Sequence, residues 1–478
     1  MRKALRVLIA AMLLVAISGT IVYLRPEIVP PGWFHPRYIA HEIKGDRIHP
    51  WIATDPGTMY SIILWDSRWP VFRKELYNYE EFMDYVVQGF AAVHPNVRIE
   101  VRLFDMTMEG EELRRAIEAG ERPDVLAGTF DPQFASAGLL VDLSPFFDET
   151  EAARFAPAAL EQMTMDGKTY AYPRWFEPQY MIANATALAR AGVDIEAIRA
   201  YGWTWRDVEA VGPRFKGTNV VPLVLDSTDV QAFETLVRST GGGGAFDASG
   251  NLIWSERDLA SLVSVVAGLV KQGTLPSPPS RYRTSSVELF WSGKVALMGP
   301  ASSGFLRYMR ERAAGAIRLP GGEKSTPEFD VAVLPLPHQA EQGTVLGNIS
   351  SLMVFDQGDR ERARIAVELA RFLAAWSPSK ITDNLQLVSC HAGSMDRSVA
   401  GLFVKTGTSW ISDALTCGVV LPAAGGPALD TRSSAGAARI AKAVRAFWDR
   451  PVAVDKLVQS LHKAMAEIPP APKAKTSK

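Results

Sequence analysis

Short apolar strands alternate with helical segments where the folded part of this sequence begins. Residues 61–65 (SIILW) are a continuous apolar run bounded by polar residues, which is typical of a strand buried on both faces. Residues 80–93 then carry apolar side chains near helical spacing, and residues 97–103 alternate as a second strand does. This strand, helix, strand order predicts an α/β fold built on a parallel sheet with crossover helices.

The chain is too long for a single hydrophobic core. At 478 residues it exceeds the size at which one core stops growing, so we expect at least two lobes. Hydrophobic residues make up 47% and charged residues 22%, which argues against a disordered chain or a multi-span membrane protein. The net charge is −1, so no overall field attracts nucleic acid and we expect no nucleic-acid partner.

The N-terminus predicts export. Arg2, Lys3 and Arg6 precede an apolar run over residues 7–24, so residues 1–25 are a signal peptide or a membrane anchor. The small residues that would mark a cleavage site are incomplete, which leaves both alternatives open, and the run contains no cysteine to carry a lipid. The positive charges before the run predict an extracytoplasmic location, at the cell surface or in the periplasm. The membrane is then a partner through this segment if it is not cleaved.

The rest of the chain divides into a tether, two lobes and a tail. The pattern changes at residues 173–188, where an aromatic-rich extended stretch leads into a helix, so we place the first passage between lobes near residues 168–173. The apolar stretch at 346–355 indicates the return passage, and we therefore expect the chain to cross more than once. The predicted segments are a tether at 26–57, a first lobe at 58–172 plus 345–415, a second lobe at 173–344 plus 416–468, and a disordered tail at 469–478.

The sequence contains no motif that assembles a catalytic or metal site. The nucleophile-elbow, zinc-protease and phosphate-loop patterns are missing, and the seven His residues show no metal spacing. Cys390 and Cys417 form no metal motif either; they are a disulfide in an oxidising compartment or two buried thiols, and we favour the thiols. We therefore expect a protein that is not an enzyme and carries no cofactor and no metal.

Several segments, in order along the chain, resemble the extracellular solute-binding proteins of carbohydrate ABC transporters, the maltose-binding-like group. They cover residues 58–450 and include FAAVHPNVRIEV at 90–101, AGLLVDLSPFF at 137–147, DGKTYAYPRWFEP at 166–178, ELFWSGKVALMGP at 288–300 and GNISSLMVF at 347–355. The resemblance implies a two-lobed, type II periplasmic-binding-protein-like α/β fold with multiple interlobe crossings. It also implies a small solute, a sugar or oligosaccharide, bound in the interlobe cleft and delivered to an ABC permease.

Candidate ligand-binding residues follow the predicted strands, because open α/β sheets bind ligands beyond the carboxyl ends of their strands. Trp65, Asp66 and Trp69 follow the first strand as stacking rings and hydrogen-bond acceptors, with Asp66 and Trp69 expected to be exposed. The alternative for Trp65 is that it packs inward. Phe130 and Asp131 follow the strand at 124–127, and the alternative for Asp131 is that it caps a helix starting at Pro132.

The remaining candidates lie at the predicted crossings. The resemblance maps the family's ligand-binding Glu onto Glu177, beside Trp175, in a crossing strand that we expect to be exposed. The family commonly places a stacking aromatic after the GKVALMG segment, but this chain has Pro300, and Ser302 is the candidate there. Two alternatives follow: the stacking ring comes from Trp175 or Trp69, or the ligand is smaller or more polar than a typical sugar of the family. Asn348, at the return crossing, is a hydrogen-bond donor and acceptor for hydroxyl groups.

Two other functions stay open at this point. A membrane-tethered sensor would use the same closing fold, with the long tether joining it to a membrane partner. A carbohydrate-active enzyme would need two facing carboxylates, which Asp66, Asp131 and Glu177 contain among them. Neighbouring permease genes would favour transport, and a neighbouring kinase gene would favour sensing.

Overall fold

A computed structural model describes most of the chain. The described residues are 57–69, 79–105, 113, 116, 119–225, 230–245, 252–282, 286–301, 329–338, 344–375, 387–391, 419–422 and 433–466. The predicted signal or anchor, nearly all of the predicted tether, the predicted tail and Ser302 lie outside them. Among the described residues, no helix has both the length and the apolar character needed to cross a bilayer.

Strands and helices alternate as predicted. The strands are β1 Tyr60–Arg68, β2 Val97–Asp105, β3 Val125–Thr129, β4 Thr164–Met165, β5 Lys168–Thr169, β6 Ala171–Pro178, β7 Tyr180–Asn184, β8 Val221–Leu225, β9 Val295–Ala301, β10 Val331–Pro335, β11 Thr344–Val354, β12 Val388–Ser389 and β13 Val419–Pro422. The helices are α1 Tyr79–Val93, α2 Pro132–Ser136, α3 Glu149–Ala152, α4 Pro157–Glu161, α5 Ala185–Arg190, α6 Ile195–Tyr201, α7 Trp205–Glu209, α8 Val230–Ser239, α9 Glu256–Lys271, α10 Ser286–Trp291, α11 Arg360–Ala375, α12 Ser433–Asp449 and α13 Val454–Ala466.

The strands form two main sheets. One has seven strands in the order β12-β6-β11-β3-β1-β2, with β13 also paired to β11, and the other has four in the order β10-β7-β9-β8. The first sheet is mixed, so the parallel pairing predicted from the strand and helix order describes only part of it. β1 is parallel to β2 and β3, but β11 runs antiparallel to both β3 and β6, because it re-enters the first sheet from the second.

Two crossings between the sheets lie side by side. β6 belongs to the seven-stranded sheet and β7 to the four-stranded sheet, and only Gln179 separates them. The Gln179 amide donates a hydrogen bond of 2.8 Å to the carbonyl of Leu346 at the start of β11. A Cβ added at Gly347 would clash with the Phe176 ring and lie 2.5 Å from the Glu177 carbonyl oxygen, so glycine permits this close approach. The predicted lobe boundaries around these crossings remain predictions.

Three apolar clusters hold the two sheets. The first packs helices α8, α9, α12 and α13 on one face of the four-stranded sheet, and the second packs α1 and α11 on one face of the seven-stranded sheet. The third cluster contacts both sheets: Phe176 and Ile349 come from the seven-stranded sheet, and Tyr180 and Met298 come from the four-stranded sheet. Because apolar burial is the main stabilising contribution to folding, this shared cluster joins the two sheets near their crossings.

Candidate functional site

The carboxyl ends of three strands meet along one margin of the seven-stranded sheet. β1 is parallel to β3, and β11 is antiparallel to both β3 and β6, so β1, β3 and β6 run in the same direction. Thr129, Ser350 and Trp175 are register partners in one row across this margin. The residues that follow β1 and β3 and those that end β6 are therefore brought to the same side of the sheet.

The second sheet directs a strand end to the same place. The last residue of β9, Ala301, is the register partner of Tyr180, the first residue of β7 after the crossing. Loops at strand carboxyl ends present backbone and side-chain polar groups, and ligands of open α/β sheets bind there. Ser302 follows Ala301 directly but lies outside the described residues, so its role stays a prediction.

Glu177 and Asn348 face each other across the two crossings. They are register partners on β6 and β11, and both are partly exposed. Their neighbours Phe176 and Ile349 are also partners and are buried in the shared apolar cluster. Because side chains alternate along a strand, Glu177 and Asn348 project from the opposite face, the face that also carries Trp175. A carboxylate and an amide at this position offer both acceptors and donors to a hydroxylated ligand.

Asp66 is buried, so the expectation that it is exposed is wrong. Its side chain is 2% exposed, and Oδ2 accepts hydrogen bonds from the Tyr79 hydroxyl at 2.7 Å and from Nη1 of Arg174 at 2.8 Å. The Ser67 amide donates to Oδ1 at 2.8 Å. A buried guanidinium needs an anionic partner, and Asp66 supplies it.

Tyr79 and Arg174 complete a buried triad with Asp66. Arg174 Nη2 donates to the Tyr79 hydroxyl at 3.3 Å. Burial and the neighbouring Asp66 carboxylate raise the pKa of Tyr79 well above its ordinary value, although Arg174 acts to lower it. Burial works to lower the pKa of Arg174, but Asp66 and Tyr79 outweigh it and the pKa is raised. Arg174 is therefore protonated and the Tyr79 hydroxyl neutral at neutral pH.

Trp175 is buried although the sequence predicts an exposed crossing strand. The ring is 2% exposed, and the Arg174 guanidinium carbon lies 3.7 Å from its centre. Trp69 meets it edge to face, with ring centres 5.5 Å apart and planes at 84°. The strand is covered because β11 and β12 flank it and apolar clusters pack on both of its faces. Trp69 itself is partly exposed.

Trp65 packs inward, which is one of the two alternatives left open by the sequence. It is 3% exposed, and its ring meets Phe104 edge to face at 5.3 Å. The guanidinium of Arg102 lies 5.1 Å from the Trp65 ring centre. This position follows from strand alternation, since Leu64 and Asp66 project from the opposite face of β1.

Phe130 and Asp131 are also buried. α2 begins at Pro132, so Asp131 occupies the N-cap position that the sequence offered as its alternative role, and its carbonyl accepts the Phe134 amide at 3.1 Å. The ligand contacts predicted for Trp65, Asp66, Trp69, Phe130, Asp131, Trp175, Glu177 and Asn348 remain predictions. Of this set, Trp69, Glu177 and Asn348 are the residues with appreciable solvent exposure.

Sequence reasoning missed Tyr79 and Arg174. An Arg inside the aromatic-rich stretch 172–178 is a signal, because a cation among apolar strand residues requires a buried partner. Nothing near Tyr79 in the sequence marks it as that partner. Within the part of the chain that the structure describes, no three His, Cys, Asp or Glu residues are placed to hold a metal ion. Cys390 is a free thiol whose pKa is raised by burial, and Cys417 lies outside the described residues.

Known proteins match this sequence over more than half of its length. A family model described as bacterial extracellular solute-binding protein matches residues 75–375. A curated relative, an uncharacterized lipoprotein in the oleD 5′ region of Streptomyces antibioticus, is 30% identical over 134 residues, which are 28% of this chain and 30% of that protein. The aligned part is therefore less than a third of that relative.

Solved structures share the architecture at low identity. A sugar transporter from Rhizobium etli in an open conformation has a TM-score of 0.63 at 17% identity, covering 86% of this chain and 100% of that chain. The cyclic α-maltosyl-1,6-maltose binding protein of Arthrobacter globiformis gives 0.61 at 16%, covering 85% and 97%. The GacH receptor of Streptomyces glaucescens, solved without ligand and with acarbose, gives 0.57 at 17%, covering 86% and 100%. The predicted two-lobed α/β fold is confirmed by these similarities.

Proposed function

Because this chain belongs to the bacterial extracellular solute-binding protein family, we propose that it captures an oligosaccharide outside the cytoplasm and delivers it to an ABC permease. The ligand lies in the interlobe cleft, at the two crossings that join the lobes. Capture there couples ligand contact to the relative orientation of the lobes, because β6 leads directly into β7 of the other sheet and β11 pairs with β6 beside that passage.

The observation that carries this proposal is the meeting of strand carboxyl ends at the paired crossings. Glu177 and Asn348 face each other on the two crossing strands and are partly exposed. The end of β9 adjoins the same crossing through the pair of Ala301 with Tyr180. We propose Glu177 and Asn348 as hydrogen-bonding residues for ligand hydroxyls, with Ser302 on the side of the second sheet.

The solute class is supported by the ligands of structurally similar proteins. The Arthrobacter globiformis and Streptomyces glaucescens proteins are described with cyclic α-maltosyl-1,6-maltose and with acarbose. The aromatic pair Trp69 and Trp175 close to the same margin is consistent with a ligand that has an apolar ring face. We therefore propose a sugar or oligosaccharide in preference to an amino acid or a phosphate ester.

Thermal unfolding with a ligand panel tests the proposal. Protein that begins at Pro50, downstream of the apolar N-terminal run, is mixed with α-linked and β-linked oligosaccharides, amino acids and phosphate esters. A ligand that binds only the folded form stabilises it by mass action and so raises Tm. At a ligand concentration one hundred times Kd, the free energy of unfolding increases by about 2.7 kcal/mol. An increase with at least one oligosaccharide is the expected result. A panel in which no oligosaccharide raises Tm would overturn the proposal.

We also propose that the bound sugar is released unchanged. Asp66 already accepts hydrogen bonds from Tyr79, Arg174 and Ser67, so its carboxylate is committed to internal partners and not to a scissile bond. Chromatography of the binding oligosaccharide after long incubation should return the starting sugar alone. Smaller products that appear with wild type but not with Glu177→Gln would indicate a carbohydrate-active enzyme.

Membrane association through residues 1–25 is part of the same proposal. If this segment, with its positive charges before an apolar run, is retained, it holds the binding lobes at the external face of the membrane that contains the permease. Cell fractionation of the full chain and of the form starting at Pro50 measures this directly. Full chain in the membrane fraction after a high-salt wash is the result expected for an uncleaved anchor, and recovery in the soluble fraction with a shortened mass shows cleavage.

A further inference from the structure

Asp66, Tyr79 and Arg174 form a buried triad that net stability alone does not explain. All three side chains are buried, and the ion pair and hydroxyl bonds span 2.7 to 3.3 Å. A buried ion pair gains little over well-packed apolar residues of similar size, because desolvation of the charges offsets their attraction. The triad therefore calls for an explanation in terms of what it orients.

The triad fixes the plane of the Arg174 guanidinium. Nη1 donates to the Asp66 carboxylate and Nη2 to the Tyr79 hydroxyl, so two different nitrogens of the planar fork are held. The guanidinium carbon lies over the Trp175 ring, 3.7 Å from the ring centre. A guanidinium that is held by two partners restrains a ring in contact with it, so the triad also restrains Trp175.

Trp175 contacts a second, partly exposed ring, that of Trp69. It is itself only 2% exposed, but Trp69 meets it edge to face with ring centres 5.5 Å apart. Trp69 directly follows β1, whose carboxyl end lies on the same margin of the sheet as Glu177. Trp69 is thus a partly exposed ring, in contact with Trp175, on the margin that also carries Glu177.

We propose that the Asp66, Tyr79 and Arg174 triad positions Trp69, through Trp175, as the surface on which a pyranose ring of the ligand stacks. This inference rests on the proposed function and adds which ring selects the ligand and what holds that ring. A sugar presents an apolar face of C–H groups and a rim of hydroxyls, which suits an aromatic ring flanked by hydrogen-bonding side chains. Arg174 is in this scheme a positioning residue that does not touch the sugar.

A double-mutant cycle between Arg174 and Trp69 tests this positioning. Arg174→Lys keeps the positive charge but loses the planar fork and the stacked face. With maltotriose and cellotriose as probes, Kd is measured by titration calorimetry for wild type, Arg174→Lys, Trp69→Ala and the double variant. Trp69→Ala should weaken binding at least tenfold. Arg174→Lys should weaken it several-fold in the presence of Trp69 and have no further effect in its absence.

Arg371→Lys is the matched control. Arg371, on helix α11, is also buried and forms a bidentate pair with Glu151 on helix α3, with both contacts at 2.8 Å. The Arg371→Lys variant should lower Tm as Arg174→Lys does, but the Kd of the folded protein for the oligosaccharide should not change. If Arg174→Lys does not fold, Tyr79→Phe replaces it in the cycle, since it releases one guanidinium nitrogen and preserves the ring volume.

The outcomes separate this inference from the proposed function. Binding by wild type with additive effects of the two substitutions, or with no effect of Trp69→Ala, overturns the positioning role and leaves sugar capture standing. An equal loss of affinity in Arg371→Lys also overturns it, because general loosening of the lobe would then explain the result. Absence of any oligosaccharide binding by wild type overturns both.

Discussion

Asp66 and Arg174 form a buried ion pair across 108 residues of sequence, with Nη1 of the guanidinium 2.8 Å from Oδ2 of the carboxylate. One lies at the end of the first strand and the other in the strand that crosses between the sheets. The pair thus joins the end of β1 to the middle of β6, next to the margin proposed for ligand binding. Its burial makes the consequences of breaking it measurable.

Removing one partner of this pair should cost far more stability than breaking an exposed pair nearby. Asp66→Asn leaves the Arg174 cation buried without its anion, which should lower the free energy of unfolding by about 3 to 5 kcal/mol. The control is Glu80→Gln, which breaks an exposed pair with Arg68 of the same 2.8 Å length and should cost under about 1 kcal/mol. Urea denaturation followed by tryptophan fluorescence compares the two, and equal losses would contradict the prediction.

Glu177 and Asn348 should contribute to affinity and not to folding. Each is partly exposed at the crossings, so truncation removes ligand hydrogen bonds without opening a core. Glu177→Ala and Asn348→Ala should each weaken oligosaccharide binding by about 1 to 3 kcal/mol. Glu100→Ala, exposed on the outermost strand β2, is the matched control. Calorimetric titration that finds wild-type affinity in both crossing variants would remove this pair from the site.

The close approach of the two crossings should depend on Gly347. A Cβ at this position would clash with the Phe176 ring and lie 2.5 Å from the Glu177 carbonyl oxygen. Gly347→Ala should therefore force β6 and β11 apart and lower the free energy of unfolding by about 1 to 3 kcal/mol. Ser350→Ala, at a partly exposed position of the same strand, serves as the control. A Tm for Gly347→Ala equal to that of Ser350→Ala would show that the crossings separate without cost.

Glu234 should make stability fall as the pH rises. Burial raises the pKa of this carboxyl above its ordinary value of 4.5, and the neighbouring Arg238 offsets only part of that effect. The folded protein then holds this proton more tightly than the unfolded chain does, so the site stabilises the fold below the ordinary value. That contribution is lost as the pH rises toward the raised folded-state pKa.

Glu234→Gln isolates this effect. The free energy of unfolding of wild type minus that of the variant should decrease as the pH rises above 4.5 and become constant above the folded-state pKa. Urea denaturation of both proteins at intervals from about pH 4 to about pH 8 gives the difference directly. A difference that increases with pH would contradict the prediction, because it would mean that the ion pair with Arg238 outweighs burial.

Local sequence patterns predicted much of the fold. The helix expected at 80–93 is α1, which begins one residue earlier, and the strand expected at 97–103 is β2, which is two residues longer. Hydrophobic periodicity carries this information because it reflects neighbours three, four or two residues away. The direction of β11 was not predictable in this way, since strand direction depends on a partner more than a hundred residues distant.

The candidate site was predicted in part. Trp69 was expected after the first strand, and Glu177 and Asn348 were expected at the crossings; all three are partly exposed there. Asp66 and Trp175 were expected to be exposed and are buried, because Arg174 pairs with the one and covers the other. Tyr79, whose hydroxyl completes the triad, carried no sign of this role in the sequence.

The sequence by itself determined the strand and helix periods, the near-neutral charge and the order of motifs that marks the family, and it predicts an export segment. These properties are encoded in near neighbours or in composition. The tertiary structure alone decided which polar residues are buried and which partners they meet. Burial and pairing depend on contacts between distant segments, and the free energy of a charge changes with its surroundings far more than with its neighbours in sequence.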